Sequence, residues 1–495
     1  MNLKALKSGT DIRGTAVETS EHPLYDLTDE NVKRFTAGFV DFLMKKTGKT
    51  SLLISVGHDS RVSANRISNA VKEELSVYNV KILDCGLCST PAMFMTTVER
   101  NCDGAVQITA SHHPWDRNGL KFFTRDGGLE SSELDEVISF AESYTPKGND
   151  IKNVEAVDFL TDYSALLRDI IKKGVNSENY DKPLDGFKII VDAGNGAGGF
   201  YAYDVLEPLG ANVTGSQFLE PDGMFPNHIP NPENKQAMAS ACAATVNSGA
   251  DLGIIFDTDV DRAGCVDKSG LEINRNRLVA LAAAIALENN EGGTIVTDSV
   301  TSSGLTDFIN NRLGGKHLRF KRGYKNVIDE AIRRNKEGEN TPLAIETSGH
   351  AAFKENYFLD DGAYLVTKII ILAARLRKEG KELSSVISSL KEPAEAEEIR
   401  LNILCEDFKA YGQKVIKELT EYAEKTDGWI LADDNYEGVK VSFGKDDGNG
   451  WFLLRLSVHD PVMPLNIESD EKGGNEKIIE KIRSFLSDYE SLSKF

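Results

Sequence analysis

The sequence is short of cysteine and of basic charge, and it contains no long apolar run. Six cysteines among 495 residues are too few for a disulfide-rich scaffold. One pair, Cys85 and Cys88, has CxxC spacing but lacks the further ligands that a zinc site needs. The longest apolar run, Leu278–Leu287, is too short to span a bilayer. These shortages exclude disulfide-stapled and membrane-spanning classes of protein.

The charge balance is acidic, with 57 Lys and Arg against 77 Asp and Glu and a net charge of −20. Nucleic acids and anionic membranes demand a basic face, so the sequence predicts neither as a partner. Residues Met1 to Lys7 lack the apolar segment of a signal peptide, and we therefore expect a soluble, cytoplasmic protein. At roughly 100–200 residues per domain, the length suggests about three or four domains.

A strand–loop–helix–strand pattern occurs three times along the chain. The copies begin at residues 51–61, 187–196 and 293–299, and their second strands lie at 79–86, 211–214 and 317–320. This spacing is that of one βαβ unit and predicts three α/β domains with largely parallel pairing. One large α/β domain with a long sheet is the alternative. Strand patterns at 398–404 and 450–457 and a helical pattern at 476–492 predict a small C-terminal α+β domain.

Two familiar nucleotide signals are weak in this sequence. Gly194–Gly199 satisfies GxGxxG after a strand, with Glu220 and Asp222 at the distance of a ribose-binding acid, so a nicotinamide dehydrogenase is an alternative function. A glycine-rich turn is as often a tight connection between packed elements, and we favour that interpretation. Gly48-Lys49-Thr50 resembles the end of a P-loop, but Leu43 stands where the first glycine is required.

The loop from Thr109 to Lys121 carries an unusual density of reactive groups. Ser111 is a candidate nucleophile, and His112 and His113 follow it directly. Adjacent residues in an extended loop point apart, so neither histidine is automatically the base for that serine. An ordinary exposed polar loop does not readily explain this composition, and the pattern favours a catalytic role.

A second loop, directly after the apolar strand 252–256, reads Asp257-Thr-Asp259-Val-Asp261-Arg262. Three carboxylates at this spacing repel one another unless a cation lies between them, and oxygen ligands suit Mg²⁺ or Ca²⁺. An EF-hand is excluded because Arg262 and Lys268 replace the glycine and the final glutamate. An arginine beside such a site points to a phosphate ligand.

Two further loops are equivocal by themselves. Glu346-Thr-Ser348-Gly-His350 follows a short strand, and its Glu, Ser and His are suited to bind sugar hydroxyl groups. Arg455-Leu-Ser457-Val-His459-Asp460-Pro461 ends a strand of the last domain, where side chains and backbone amides together suit a phosphate. Taken alone, each loop is as consistent with an ordinary connection as with a binding site.

Together these loops resemble those of the α-D-phosphohexomutases, the phosphoglucomutase/phosphomannomutase superfamily. The resemblance extends from Thr10–Gly14 to Arg455–Pro461 and includes Gly57–Arg61, Pro221–Pro226 and Gly323–Lys325. It implies an α/β fold of three topologically similar α/β domains with mixed sheets, plus a smaller C-terminal α+β lid domain, around one central cleft. We expect domains at 1–153, 154–275, 276–392 and 393–495.

The resemblance also implies roles for individual residues. Ser111 matches the phosphoserine, and Asp257, Asp259 and Asp261 match the ligands that bind Mg²⁺ together with its phosphate. Arg262 matches an arginine beside the phosphoryl group, and Arg13 matches the active-site arginine of the Asp-Ile-Arg-Gly motif. Lys121 and His350 match the proposed general acid and base, and His112, next to Ser111, completes the catalytic candidates. The substrate-binding candidates are Glu346, Ser348, Lys325, Arg455, Ser457 and His459.

The reaction implied is the interconversion of hexose 1-phosphate and hexose 6-phosphate, of glucose or mannose, through a hexose 1,6-bisphosphate. A phosphoglucosamine or N-acetylglucosamine phosphomutase and a non-catalytic sugar-phosphate-binding homologue are the alternatives. The last is motivated by the lid loop, where Leu456, Val458, His459 and Asp460 depart from the family pattern and His459 takes the place of a threonine donor. Either a monomer or a homodimer is compatible with the sequence.

Overall fold

The computed structural model describes residues 2–148, 150–433, 435–457 and 460–493. It contains two compact units, the first comprising Met1–Leu278 and Ser348–Ser385 and the second Val279–Thr347 and Val386–Phe495. The expected domain boundaries after residues 153, 275 and 392 divide the chain more finely and stay a prediction. None of the described helices is both long and apolar enough to cross a membrane.

The first α/β region occupies the N-terminal part of the first unit. Its elements in chain order are β1 (Lys7–Ser8), β2 (Asp11–Thr15), α1 (Asp29–Thr47), β3 (Leu52–His58), α2 (Ala64–Leu75), β4 (Val80–Leu87), α3 (Thr90–Glu99), β5 (Gly104–Ile108), β6 (Arg117–Thr124), β7 (Gly127–Gly128), α4 (Ser131–Ser143), β8 (Val154–Ala156) and α5 (Phe159–Val175). The strand order is β1-β2-β6-β5-β3-β4-β8, with β7 beside β6.

This sheet is mixed, because β3 runs parallel to β4 and β5 while β6 is antiparallel to both β5 and β2. Helix α1 begins where the Thr28 side chain accepts a hydrogen bond from the Asn31 backbone and ends at Gly48 in a left-handed conformation. Its buried face stacks Phe39 on Phe122 of β6, with ring centroids 4.5 Å apart. The sheet is thereby covered, and its loops at the β5–β6 end are held on a rigid base.

The second α/β region contains β9 (Ile189–Asp192), α6 (Lys235–Ser248), β10 (Leu252–Phe256), β11 (Ala263–Asp267) and β12 (Glu272–Ile273). The strand order is β12-β11-β10-β9, and only β9 and β10 are parallel. The expectation of largely parallel pairing is wrong here, because the six-residue connection 257–262 between β10 and β11 is too short for a crossover.

The strand expected at 211–214 is also wrong. Asn212 forms only an isolated bridge with Lys188, and its side chain accepts a hydrogen bond from the Thr214 backbone at 2.9 Å, which turns the chain. Before it, the expected helix is a π-helical segment, Tyr201–Leu206, followed by a 3-10 turn, Glu207–Leu209.

The third α/β region contains α7 (Asn276–Leu287), β13 (Thr294–Asp298), α8 (Ser303–Asp307), β14 (Lys316–Phe320), α9 (Tyr324–Lys336) and β15 (Leu343–Ile345). Strands β14, β13 and β15 lie side by side and are parallel. The chain then contributes β16 (Ala351–Phe353) and α10 (Gly362–Lys378) to the first unit, where α10 packs against α5.

The C-terminal region is a separate α+β layer within the second unit. Its elements are β17 (Glu395–Asn402), α11 (Phe408–Lys425), β18 (Ile430–Leu431), β19 (Val439–Ser442), β20 (Gly450–Leu454), β21 (Val462–Ser469) and α12 (Gly474–Leu486). The sheet is antiparallel in the order β17-β21-β20-β19-β18. Three α/β regions with mixed sheets and a C-terminal α+β region therefore confirm the predicted fold class.

Candidate active site

Ser111 lies in the connection between β5 and β6, in a backbone conformation that few serines adopt. Its φ is 49°, in the left-handed region, and only 8% of the residue is exposed. The Ser111 backbone N–H donates to Thr109 Oγ1 at 2.9 Å, and that hydroxyl donates to Asp59 Oδ2 at 2.7 Å. These bonds fix the turn, because a strained residue persists only where its surroundings determine its conformation.

The acidic loop lies between β10 and β11. Asp257, Asp259 and Asp261 are each at most 1% exposed. The loop turns at Val260, whose φ of 69° is rare for a β-branched residue, and the Val260 carbonyl accepts a hydrogen bond from the Gly362 backbone at 3.1 Å. A buried strand thus delivers three carboxylates into one tight turn.

The two loops face each other across the first unit. The Ser111 hydroxyl donates to Asp257 Oδ2 at 3.1 Å and accepts from Arg262 Nη2 at 3.0 Å. Arg262 in turn donates through Nε and Nη2 to Asp257 Oδ2, at 3.1 and 3.0 Å. The structure therefore brings together the two sequence motifs that the resemblance joins.

The acidic loop fits a divalent cation. One carboxylate oxygen from each of Asp257, Asp259 and Asp261 lies within 4.8 Å of the others. Asp259 Oδ1 and Asp261 Oδ1 are buried without a hydrogen-bond partner among the described residues, a costly arrangement that a cation would relieve. Burial and the neighbouring Asp261 raise the pKa of Asp257 well above its ordinary value. Oxygen-only donors of this kind suit Mg²⁺.

Lys121 and Arg13 lie on neighbouring strands of the first region and are both buried. Lys121 Nζ lies 2.5 Å from Asp261 Oδ2 and 3.5 Å from Asp259 Oδ2, so it adjoins the acidic loop. Arg13 donates to Asp11 at 2.8 Å and to the Thr109 carbonyl oxygen. Its charge therefore lies at the base of the serine loop.

The two histidines after Ser111 are neutral. Burial and the Arg262 charge lower the pKa of His112 to about 2, and burial and Arg13 lower that of His113 to about 4. Arg262 Nη2 donates to His112 Nδ1 at 2.6 Å. His112 Nδ1 also lies 3.3 Å from Ser111 Oγ. His112 is thus an uncharged neighbour of the serine hydroxyl.

His350 has the opposite character. Its Nδ1 lies 2.6 Å from Asp360 Oδ2 and 4.0 Å from Asp261 Oδ1. Burial alone lowers the pKa of His350, but the Asp360 and Asp261 carboxylates outweigh burial and raise it to about 9. The imidazole is therefore a cation at neutral pH and holds a proton beside the acidic loop.

The remaining candidates of the second unit form a cluster of their own. Glu346 accepts a hydrogen bond from the Gly323 backbone at 2.6 Å, and Lys325 Nζ pairs with Asp329 at 2.5 Å. Burial and the nearby Arg322 lower the pKa of Arg455. The Arg455 Nε is buried and has no hydrogen-bond partner among the described residues.

Three candidates stand apart from that cluster. Ser348 is buried and belongs to the first unit. Ser457 lies in the second unit, where its hydroxyl accepts a hydrogen bond from the Asp460 backbone at 3.2 Å. His459 lies outside the described residues.

Several residues that hold these groups in place had no role predicted from the sequence. Asp59 and Arg61 support the serine loop, Asp360 binds His350, and Glu437 accepts hydrogen bonds from Ser299 and from the Arg322 backbone. The Asp59–Arg61 pair directly follows β3, and charged residues at the end of a strand are a sequence signal for a functional loop. Nothing in the local sequence marks Glu437.

The glycine-rich turn Gly194–Gly199 has a packing role. A Cβ at Gly196 would lie 2.5 Å from the Thr258 carbonyl oxygen, and one at Gly199 would lie 2.3 Å from the Leu219 carbonyl oxygen. The Ala197 backbone also donates to Thr258 O at 2.8 Å. The turn therefore supports the acidic loop, and these contacts account for its glycines without a dinucleotide.

A serine hydroxyl bound by a guanidinium, beside three carboxylates suited to a cation, is the equipment of enzymes that transfer phosphoryl groups. Three family descriptions match the chain: "Phosphoglucomutase/phosphomannomutase, alpha/beta/alpha domain I" at residues 5–145, the corresponding domain II at 166–270, and domain III at 274–393. The chain belongs to the phosphoglucomutase/phosphomannomutase family, and this confirms the resemblance found in the sequence.

Individual relatives agree with that membership. A phosphoglucomutase/phosphomannomutase of Thermococcus kodakarensis is 31% identical over 90% of this chain and 90% of its own length. A phosphomannomutase/phosphoglucomutase of Pseudomonas aeruginosa is 29% identical over 94% of this chain and 95% of its own. The crystal structure of a family protein from Burkholderia thailandensis, 25% identical, superposes with a TM-score of 0.79 over 98% of each chain.

Proposed function

We propose that this protein interconverts hexose 1-phosphate and hexose 6-phosphate, of glucose or mannose, by transferring a phosphoryl group to and from Ser111. The observation that carries the proposal is the position of Ser111 Oγ, which donates to Asp257 at 3.1 Å and accepts from Arg262 at 3.0 Å. The family relatives named for both sugars support glucose and mannose over glucosamine phosphates.

In the forward half-reaction the phosphoserine Oγ–P bond breaks and a sugar hydroxyl oxygen forms the new bond to phosphorus. The product is a hexose 1,6-bisphosphate, which reorients and then returns its other phosphoryl group to Ser111. Arg262, held between Ser111 and Asp257, neutralises charge on the transferred group, and Arg13 adds positive charge from the base of the loop. Phosphoryl transfer depends chiefly on such positioning and neutralisation.

Proton transfer is assigned to His350 and Lys121. The protonated His350, with Nδ1 on Asp360, is suited to give its proton to the leaving Ser111 oxygen. Lys121 at the acidic loop, in its neutral amine form, is the group that takes the proton of the attacking sugar hydroxyl. The two exchange roles on the return step. His112, which is uncharged, accepts a hydrogen bond from Arg262 through Nδ1 and helps to hold that guanidinium beside Ser111.

Mg²⁺ would be held by Asp257, Asp259 and Asp261 together with an oxygen of the Ser111 phosphate. When bound, it supplies positive charge that stabilises the charge spread over the phosphoryl oxygens. Oδ1 of Asp259 and Oδ1 of Asp261 are buried and have no hydrogen-bond partner in the part of the chain that the structure describes, which supports this assignment. A hexose 1,6-bisphosphate would also prime the enzyme by phosphorylating Ser111.

The substrate anchors belong to the later parts of the chain. We assign the distal phosphate to Arg455 and Ser457, and the sugar hydroxyls to Glu346 and Ser348, with Lys325 as a further contact. The Nε of Arg455 is buried and has no hydrogen-bond partner among the described residues, which supports this assignment because a guanidinium binds phosphate through strong charge-assisted hydrogen bonds. His459 stays a prediction.

The six cysteines are free thiols, as a reducing compartment would keep them, and we propose the cytoplasm as the location. Whether the protein is a monomer or a homodimer stays a prediction.

The decisive experiment is conversion of glucose 1-phosphate with mass mapping of the phosphorylated residue. We expect glucose 6-phosphate as product, one phosphate on Ser111 gained from glucose 1,6-bisphosphate, and no turnover by Ser111→Ala. Ser55→Ala is the matched control, because Ser55 is a buried serine of the same region that bonds Thr96 at 2.5 Å. Undiminished turnover by Ser111→Ala would overturn the proposal.

A further inference from the structure

Arg61 is the largest fully buried side chain among the described residues, and both of its terminal nitrogens donate hydrogen bonds to one loop. Its side chain is 0% exposed, in the connection between β3 and α2. Its two terminal nitrogens donate to four backbone carbonyl oxygens of the serine loop: those of Ser111, His113 at 2.7 Å, Pro114 at 2.7 Å and Arg117 at 2.9 Å. One guanidinium therefore gathers the loop from its first turn to the start of β6.

Asp59 ties the same guanidinium to the other side of the serine turn. Its Oδ2 lies 3.2 Å from Arg61 Nε and accepts the Thr109 hydroxyl at 2.7 Å. Thr109 Oγ1 then accepts the Ser111 backbone N–H at 2.9 Å. Both the N–H and the carbonyl oxygen of Ser111 are thus connected to one buried ion pair.

The second α/β region covers Arg61 from outside. The Phe225 ring centroid lies 5.3 Å from the guanidinium carbon, within the range of a cation–π contact. A Cβ at Gly223 would lie 2.4 Å from the Val62 backbone nitrogen, so only glycine permits this approach. The segment Pro221–Pro226, which is part of the family resemblance, therefore confines the Arg61 side chain.

We propose that Arg61 is a positioning residue for phosphoryl transfer, because its guanidinium holds the serine loop in the conformation that directs Ser111 Oγ toward Asp257 and Arg262. The inference rests on the proposed function and names a residue that touches no reacting atom. Lysine does not replace it, since an ammonium group offers three donors from a single point and a guanidinium offers a planar fork. Without the fork, buried carbonyl oxygens lose their donors.

The test compares Arg61→Lys with Arg66→Lys in the full-length protein. Arg66 is a matched control in α2, because its guanidinium also pairs with a carboxylate, Asp29, and donates to two backbone carbonyl oxygens, at 2.9 and 3.0 Å, but none belongs to the serine loop. We expect Arg61→Lys to lower kcat about 100-fold, the cost of a misplaced reacting group. KM should change less than about threefold, because the substrate anchors lie elsewhere, and Arg66→Lys should leave both constants unchanged.

Two further variants keep the inference falsifiable if Arg61→Lys is unstable. Phe225→Leu retains the arginine and removes only its aromatic cover, and a loss of kcat of about threefold to tenfold follows from the weaker confinement. Arg61→Ala leaves space for methylguanidinium, which should restore kcat at least tenfold when added, whereas a merely structural role predicts no recovery of the chemical step.

The outcomes separate the two proposals. If the wild-type protein gains no phosphate on Ser111, the proposed function is wrong. If wild type is phosphorylated and turns over, but Arg61→Lys folds with kcat within threefold of wild type, or if methylguanidinium restores nothing to a folded Arg61→Ala, the positioning role is wrong.

Discussion

The serine site of the first unit and Arg455 of the second unit differ in whether their positively charged groups have carboxylate partners. At the serine site three cations each have a carboxylate partner: Arg262 with Asp257 at 3.0 Å, Lys121 with Asp261 at 2.5 Å, and His350 with Asp360 at 2.6 Å. In the second unit the Arg455 guanidinium makes no hydrogen bond or ion pair with the described residues, and its Nε is buried.

This difference matches two different tasks. Groups that stabilise a transition state work best when their positions are set before the reaction, so that no reorganisation is needed. A group that binds and releases a mobile phosphate must offer a charge that is not already neutralised within the protein. The paired site is therefore suited to chemistry and Arg455, which forms no ion pair with a described residue, is suited to anchoring. Each of the following variants tests one side of that contrast.

The largest effect is expected at the acidic loop. Asp259→Asn keeps the shape of the side chain but removes one of three clustered charges, so Mg²⁺ binding should weaken and the mutase rate should fall about 1,000-fold, in line with the several kcal/mol that a catalytic cation supplies. Calorimetric titration with Mg²⁺ and steady-state kinetics would measure both.

Asp192→Asn is the control for that variant. Asp192 is a buried carboxylate at the end of the neighbouring strand β9, where it contacts His228 at 3.0 Å and Gln217 at 2.7 Å. Its replacement should leave Mg²⁺ affinity unchanged. Equal loss of Mg²⁺ affinity in both variants would show that general destabilisation, and not the acidic triad, governs metal binding.

The next effect concerns the charge of His350 in metal-free protein. The folded pKa of about 9 exceeds the ordinary value, so the folded state binds the proton more tightly than the unfolded state. The resulting stabilisation, roughly 3 kcal/mol, is fully present below about pH 6.5 and is lost as the pH rises through about 9. Urea unfolding at pH 6 and pH 9.5 should therefore separate wild type from His350→Gln only at the lower pH.

Asp360→Asn sharpens the same experiment. Asp360 is the strongest of the carboxylates that raise the pKa of His350, so its removal should abolish most of the pH-dependent difference. Addition of Mg²⁺ should also reduce it, because a cation at Asp261 would neutralise the second partner. A pH-independent difference between wild type and His350→Gln would contradict the ion-pair interpretation.

Local sequence predicted the parts of the site that depend on strand ends. An apolar strand followed by Asp-x-Asp-x-Asp-Arg, and a strand followed by Thr-Ala-Ser-His-His, both place polar groups at sheet edges, and the structure has both. The family and the fold class are confirmed. The roles of the site residues stay predictions, as do the domain boundaries.

The contacts between distant residues were beyond local reasoning. Ser111 and Asp257 are 146 positions apart, and no periodicity fixes that distance. Arg61 is an ordinary arginine in sequence, and its partners are backbone carbonyls that any residue supplies. The strand expected at 211–214 is wrong for a different, local reason, because the Asn212 side chain accepts a hydrogen bond from the Thr214 backbone and turns the chain.

A smaller effect is expected when Arg455, which has no ion-pair partner among the described residues, is removed. Arg455→Ala should raise KM for glucose 1-phosphate about 10-fold to 100-fold, the worth of one charge-assisted hydrogen bond. The first-unit chemistry should remain, so the rate of Ser111 phosphorylation by bound glucose 1,6-bisphosphate should change far less. Arg400→Ala is the control, since Arg400 lies on β17 of the same region and pairs with Glu398 at 3.5 Å. Unchanged KM for Arg455→Ala would remove Arg455 from the phosphate site.

The smallest effect tests whether the positive potential at Arg455 is limited by Glu437. Glu437 accepts hydrogen bonds from Ser299 and from the Arg322 backbone, and its charge acts on Arg455. Gln keeps both acceptor contacts and removes the charge, so Glu437→Gln should lower KM for glucose 1-phosphate about threefold at low ionic strength and less at high salt.

Glu468→Gln is the matched control for Glu437→Gln. Glu468 also lies in the C-terminal region, and its carboxylate accepts a hydrogen bond from a backbone N–H of the third region, that of Ser303, at 3.1 Å. Its charge is not among those acting on Arg455, so its KM should equal that of wild type. If Glu437→Gln instead raises KM, the carboxylate serves mainly to hold its neighbours together. The charge of Arg455 would then depend on a carboxylate in the same way as the cations of the serine site, and the contrast between the two sites would disappear.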